Sequence, residues 1–157
     1  MAFWSNNTLE PLRKFRFKIQ FGDDIMWWAK SVTQPSPDVS VSEHQLINHK
    51  IKYPGIVTWN DIDITLVEVG GKGLEYFNKL SKVGYNRSGS GVDGLKKGQY
   101  DGKTFNIQKF DANGSKIEEW DLINPFIKSI KYGDLDYSAD ELLEVTITVA
   151  YDSATLT

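Results

Sequence analysis

The chain has 157 residues, with 18 Lys and Arg against 21 Asp and Glu, a formal charge of -3 and no cysteine. That length suits a single domain that buries ~70% of the surface its unfolded chain would expose, and the lack of cysteine excludes disulfides, thiolate metal sites and a cysteine nucleophile. A weakly negative balance argues against a protein that holds nucleic acid by neutralising phosphates.

The start of the chain has no basic stretch leading into an apolar run, and no segment approaches the roughly 20 apolar residues that span a bilayer, so no membrane partner is expected. Residues 1–11 carry Phe3 and Trp4 ahead of Pro11. They read as an arm outside the main domain of 12–157, either frayed or docked on a neighbouring subunit. Over 12–21, Phe15, Phe17, Ile19 and Phe21 alternate with Arg16, Lys18 and Gln20, which predicts a strand with one apolar face. Gly22, Asp23 and Asp24 turn the chain into a second strand over 25–32, where Trp27 and Trp28 point to opposite faces. The outward one is either half covered by a loop or an interface anchor.

Pro35 and Pro37 interrupt the ladder pattern, since proline has no backbone donor. An extended excursion follows over 35–58, with Val39, Val41, Leu46, Ile47, Ile51 and Tyr53 in short extended pieces and a turn signal at Tyr53-Pro54-Gly55. Excursions of this length carry function or are disordered, and this one is too apolar for disorder. It holds His44 and His49, but neither their spacing nor a nearby carboxylate pattern makes a metal site, so no metal or other cofactor is expected.

A strand over 59–67 sets Ile62, Ile64 and Leu66 inward and Asp61, Asp63 and Thr65 outward. After Gly70-Gly71-Lys72-Gly73, Leu74, Phe77 and Leu80 share one face of a helix over 74–83 that Gly84 ends. Residues 85–102 form a glycine-rich flexible loop. It is not a phosphate loop, because Leu95 follows Gly94 where a lysine is required. Two strands over 103–110 and 115–122 flank Asp111-Ala112-Asn113-Gly114, a hairpin signal. The same string fails as a calcium loop, with Lys116 at the glycine position and Leu122 at that of the bidentate glutamate.

The chain closes in another hairpin. Residues 126–137 are rich in Ile and Tyr but alternate less cleanly; Ser138-Ala139-Asp140 reverses the chain into a long strand. There Leu143, Val145, Ile147, Val149 and Tyr151 face one way and Glu144, Thr146, Thr148 and Ala150 the other. One helix on an otherwise stranded chain predicts a mainly β domain. No G-x-S-x-G, H-E-x-x-H or dinucleotide fingerprint occurs, and scattered carboxylates with two loop histidines do not make an acid–base pair, so no enzyme is expected.

Taken in order, these strings resemble the tail tube proteins of contractile-tailed bacteriophages and the related tube proteins of contractile injection systems, over about 15–151. The resemblance rests on the F-x-F-x-I strand at Phe15, Phe17 and Ile19, the Lys52-Tyr53-Pro54-Gly55 turn and the strand Ile62-Asp63-Ile64-Thr65-Leu66. It continues through the helix, the Asp111 to Gly114 hairpin leading to Glu119-Trp120, Asn124-Pro125-Phe126 and the closing V-T-I-T-V-A-Y.

The resemblance implies an antiparallel β-barrel or sandwich with one flanking α-helix, six copies joined edge to edge in a ring, and rings stacked into a hollow tube. It implies a structural protein of a virion tail, assembled in the bacterial host cytoplasm, that conducts DNA during genome ejection, or effectors in an injection system. Its partners would be further copies of itself, the tail sheath protein, baseplate and tail-terminator proteins, and the tape-measure protein and DNA in the lumen. The implied wall is acidic or neutral, so that phosphates slide, and its candidates are Asp61, Asp63, Asp134, Asp136, Glu144, Thr146 and Thr148. Candidates for contacts between subunits are Phe3, Trp4, Trp28, His44, Leu46, Ile47, Tyr53 and Pro54. A baseplate or neck ring that starts or ends the tube would share the fold, and a small-ligand-binding β-barrel is the reading from another class.

Overall fold

The computed structural model describes residues 11–21, 24–25, 28–72, 74 and 105–157. Its strands are β1 (Phe17–Phe21), β2 (Asp24–Ile25), β3 (Ala29–Val32), β4 (Pro37–Leu46), β5 (His49–Trp59), β6 (Ile62–Val67), β7 (Phe105–Phe110), β8 (Lys116–Ile123), β9 (Phe126–Tyr132), β10 (Glu144–Ala150) and β11 (Ser153–Leu156). Three antiparallel sheets result: a five-stranded one ordered β11-β8-β7-β1-β2, a four-stranded one ordered β3-β6-β10-β9, and the two-stranded β4-β5. The predicted helix over 74–83 and the loop over 85–102 lie outside the described residues, apart from Leu74.

The two larger sheets share one core. Ile19, Phe21, Phe105, Ile107 and Leu122 come from the five-stranded sheet, and Ile62, Ile64, Leu66, Ile127, Val145, Ile147 and Val149 from the four-stranded one; all are buried. Period-two alternation put these side chains on the inner faces, as the sequence predicts for β6 and for the last long strand. Phe21 meets Phe105 edge-on at 5.5 Å between ring centroids, a favoured aromatic geometry. Among the described residues no polar or charged residue is fully buried.

Several boundaries differ from the sequence reading. Phe15 is 75% exposed, because the amide of Arg16 bonds to the carbonyl of Arg13 and bends the chain just before β1. The strand expected over 25–32 is split, with β2 in one sheet and β3 in the other. Tyr53-Pro54-Gly55 is no turn: Tyr53 and Pro54 pair with Ser42 and Val41 inside β5, and the register slips just after them, where Gly55 and Ile56 face Ser40. Both strands of a two-stranded ribbon are edges, where proline is tolerated. A Cβ on Gly55 would meet the Ser40 hydroxyl at 2.3 Å and its carbonyl at 3.1 Å, so any larger residue would turn the Ser40 side chain away and crowd β4. The closing hairpin forms, but its connection is the whole of 133–143 rather than three residues.

Turn chemistry holds where it is local. At the tip of β7–β8, Asp111 Oδ1 accepts the amides of Asn113 at 2.9 Å and Ser115 at 2.8 Å, and Gly114 takes the left-handed φ of 81°. Two passages between the sheets, β8 to β9 and β10 to β11, run side by side. Asn124, at φ 52°, donates from Nδ2 to Asp152 at 2.9 Å and ties them.

Candidate functional site

The outer face of the four-stranded sheet carries Asp63 and Thr65 from β6 and Glu144, Thr146 and Thr148 from β10, in register: Thr65 stands opposite Thr146, and Asp63 opposite Thr148. The Thr148 hydroxyl donates to Asp63 at 2.8 Å. Both edge strands depart from simple alternation. The register slips between Ala29 and Ser31 on β3 and at the Thr148/Val149 step where β9 meets β10. A bulge sets two successive side chains on one face, and each slip turns a lysine outward beside a serine: Lys30 with Ser31, Lys128 with Ser129.

Each of these lysines reaches across a strand to a carboxylate. Lys30 Nζ pairs with Glu144, and Lys128 Nζ with Asp61 at 2.8 Å. The hydrogen bond and charge of its partner raise each ammonium above its ordinary range. With Lys131 opposite Thr146, the face holds Asp61, Asp63 and Glu144 against Lys30, Lys128 and Lys131. It is charge-balanced and rich in hydroxyls. The less clean alternation over 126–137 was the trace of the β9 bulge, but a bulge cannot be placed without its partner strand.

The sheet edges are β3 and β9, and neither has a second partner among the described residues. Because all three junctions are antiparallel, the two edges run in opposite directions.

Two features project from the body. Among the described residues the β4–β5 ribbon pairs only with itself, and Val39, Val41, Leu46, Ile47, Tyr53, Ile56 and Val57 on it are exposed. The pairings His44 with Ile51 and Leu46 with His49 put both histidines, Leu46, Ile51 and Tyr53 on one face near the tip. Its root is fixed: Asn60 Nδ2 donates to Asp38 at 2.7 Å, and the Tyr151 hydroxyl donates to the Asn60 carbonyl at 2.7 Å.

The second projection is 133–143, at the end of the sheet where β9 leaves and β10 enters. The Gly133 amide bonds to the Glu144 carbonyl, and a Cβ there would meet that oxygen at 2.7 Å. Asp136 Oδ1 accepts from the Ser138 amide at 2.9 Å and hydroxyl at 2.8 Å, which holds its carboxyl below the ordinary aspartate range. A depressed carboxylate stabilises above its unfolded value, about 3.9, and that contribution is lost as pH falls through the lower folded value. The Ser138 amide resonance is therefore expected to hold its position on acidification past pH 4 and to move only below it. In Asp136→Asn, which keeps an acceptor, that acid step should vanish. A step centred at or above pH 4 would refute the assignment.

The structure thus gathers Asp61, Asp63, Glu144, Thr146 and Thr148 on one face, and places Asp134 and Asp136 on the loop at its end. His44, Leu46 and Tyr53 share the ribbon's tip face, Ile47 caps its turn and Pro54 pairs with Val41 just before its bulge. Trp28 is half-buried against the core with the Lys72 ammonium 4.8 Å from its ring centroid. Phe3 and Trp4 lie outside the described residues. Lys30, Lys128 and Lys131 were not foreseen. Among the described residues, no three His, Asp or Glu side chains are grouped to hold a metal ion.

No protein-family model and no curated protein matches the chain. Solved structures do. A chain of the anti-feeding prophage cap (AFP tube terminating cap) superposes with a TM-score of 0.75 at 19% identity, over 100% of this chain and 99% of that one. A chain of the sheath-tube complex of PVC, an extracellular contractile injection system, in its extended state gives 0.70 at 17% identity, over 100% and 98%. Hcp1 from Flavobacterium johnsoniae gives 0.52 at 11%, over 90% and 94%. At these identities the likeness is one of fold: the chain is a mainly β, antiparallel protein with the tube-type fold of contractile tail-like assemblies. The expectation of that fold from the residues is met.

Proposed function

We propose that the chain is a structural, ring-forming subunit of the tube of a contractile injection apparatus. The observation that carries this is the four-stranded sheet, polar on its outer face and open at two edges that run in opposite directions. Open edges are a hazard unless paired. When a second copy is related to the first by rotation about an axis along the strands, its β3 meets the first copy's β9 antiparallel. Repetition then closes a barrel with no free edge, its polar faces lining the bore.

Six copies, the number the tube-protein resemblance implies, would supply roughly 24 strands. At ~4.8 Å between strands and a tilt of ~40°, such a barrel is roughly 45–50 Å across between backbones. That leaves room for duplex DNA or a small protein. The wall would be Asp61, Asp63, Glu144, Thr146 and Thr148 together with Lys30, Lys128 and Lys131, with Asp134 and Asp136 at its rim. Hydroxyls and balanced charges give a cargo of either sign little to stick to. The ribbon, through His44, Leu46, Ile47, Tyr53 and Pro54, would contact neighbouring subunits.

Fold likeness to chains of AFP and PVC supports the injection-system form, with effectors as cargo, over a phage tail that ejects DNA. The AFP likeness, to a tube-terminating cap, keeps a terminator ring beside the main tube. Sheath, baseplate and terminator proteins would be its partners. A ligand-binding barrel finds less support, since Ile, Val, Leu and Phe side chains fill the space between the sheets.

The test is native mass spectrometry across concentration, with negative-stain imaging of the same samples. Hexamers with rings or tubes of one diameter are expected; tubes that lengthen with concentration mark the tube protein, single rings the terminator. A monomer at every concentration, even with preformed tube ends added as seeds, would end the reading.

A further inference from the structure

Beside β3, between that edge and the five-stranded sheet, lies a groove of about 510 Å³. Arg13, Lys14, Arg16, Lys30 and Lys109 line it, and among the described residues no carboxylate does. Lys30 and Lys109 also hold Glu144 and Glu118, outside the groove's lining. Arg13 and Lys14 are exposed, and Leu12, Phe17, Val32 and Ile107 give the groove an apolar floor.

The 133–143 loop has the opposite character. Asp134, Asp136, Asp140 and Glu141 are its charged residues and it has no cation. Leu135 is 86% exposed, Leu142 77%, and Tyr137 fully so. Apolar side chains held in water between carboxylates have no role in this chain's own core.

Topology places the two within reach across a junction of copies. The loop leaves the end of β9, one edge of the sheet; the groove runs along β3, the other edge. β3 begins at the loop's end of the sheet, since Ala29 stands opposite Leu66 and Glu144 opposite Val67. In the rotation-related pairing of β9 with β3, the loop of one copy emerges beside the groove of the next.

We propose that the 133–143 loop of one copy seats in the Arg13–Lys14–Arg16 groove of the next, carboxylates on the cations and Leu135, Tyr137 and Leu142 toward the apolar floor. The proposal rests on the ring-forming reading and adds to it the device that sets the direction of assembly. The contact is heterologous, loop to groove, so it propagates around a ring instead of closing a two-fold dimer. Complementary charge also rejects wrong registers and speeds encounter.

Two variants test it: Arg13→Glu with Lys14→Glu, and Asp134→Lys with Asp140→Lys. Asp136 is left alone because it shapes the loop. All four positions are exposed, and circular dichroism with urea unfolding checks that both variants keep the fold. Each variant alone should need about tenfold or more protein to assemble, by sedimentation velocity. An equimolar mixture should assemble at a lower concentration than either variant alone, because in an alternating ring every second junction sets an unchanged loop against an unchanged groove, and the others set the new lysines against the new glutamates. Wild-type assembly should also weaken between 0.05 and 0.5 M NaCl, as screening shortens the reach of exposed charges.

Variants that assemble as the wild type does, or a mixture no better than its components, would overturn the loop-to-groove contact and leave the ring intact. A wild type that never assembles would overturn both. Should a variant lose its fold, the salt series on the wild type decides: assembly that strengthens with salt refutes a charge-complementary contact.

Discussion

Ile147→Ala is expected to lower the stability of the dissociated chain by about 2–5 kcal/mol, the range for a large aliphatic truncated in a close-packed core. Ile147 is buried in β10, opposite Ile64 on one side and Ile130 on the other. Truncation removes its own burial and leaves a void that the rigid ladders on either side cannot close. Domains are stable by only ~5–15 kcal/mol, so this one change puts a large part of the whole at risk. In urea the midpoint should fall by roughly 1–3 M with the slope unchanged.

Its neighbour supplies the control. Thr148 lies one step along on the outer face, where its hydroxyl donates to Asp63. Thr148→Ala should cost about 1 kcal/mol or less, since an exposed hydrogen bond is largely replaced by water. A one-residue slip in register would exchange the two faces. If Thr148→Ala proved the costlier change, the assignment of a core face and an outer face would be wrong.

How far the sequence carries the structure depends on the range of the interactions involved. Ile62, Ile64 and Leu66, and Val145, Ile147 and Val149, were legible because alternation is a property of one strand by itself. The Asp111 to Gly114 turn was legible because its hydrogen bonds span four residues. What was not legible depends on a partner strand. Lys30 and Lys128 reach the outer face only through bulges, and a bulge is defined by the register of two strands. β11 escaped notice because Ser153–Leu156 is short and is held by β8, thirty residues earlier. Tyr53-Pro54-Gly55 carries the residues of a turn, yet pairing with Ser42 and Val41 on β4 keeps it extended within β5. The candidate face was half read: its carboxylates and threonines were found, while the lysines that neutralise it were not.

Replacing residues 39–57 with a short Gly-Ser connection is expected to abolish assembly while leaving a folded monomer. Two-stranded ribbons are marginal in water, and this one holds seven large apolar side chains exposed. Contiguous apolar surface beyond a few hundred Å² on a soluble protein marks a contact. Because the ribbon pairs with no other strand among the described residues, its removal should shift the body's unfolding by about 1 kcal/mol or less, a typical surface effect. Asn60, Trp59 and Tyr151 stay in place, so the root of the connection is preserved. Sedimentation velocity and urea unfolding on the same preparation separate the outcomes. A shortened chain that assembles at the wild-type concentration would show that the ribbon is not an interface. One that unfolds several kcal/mol earlier would show that the ribbon covers its own barrel. The expected result, a stable body that no longer assembles, requires that the ribbon's exposed apolar side chains be buried by another subunit.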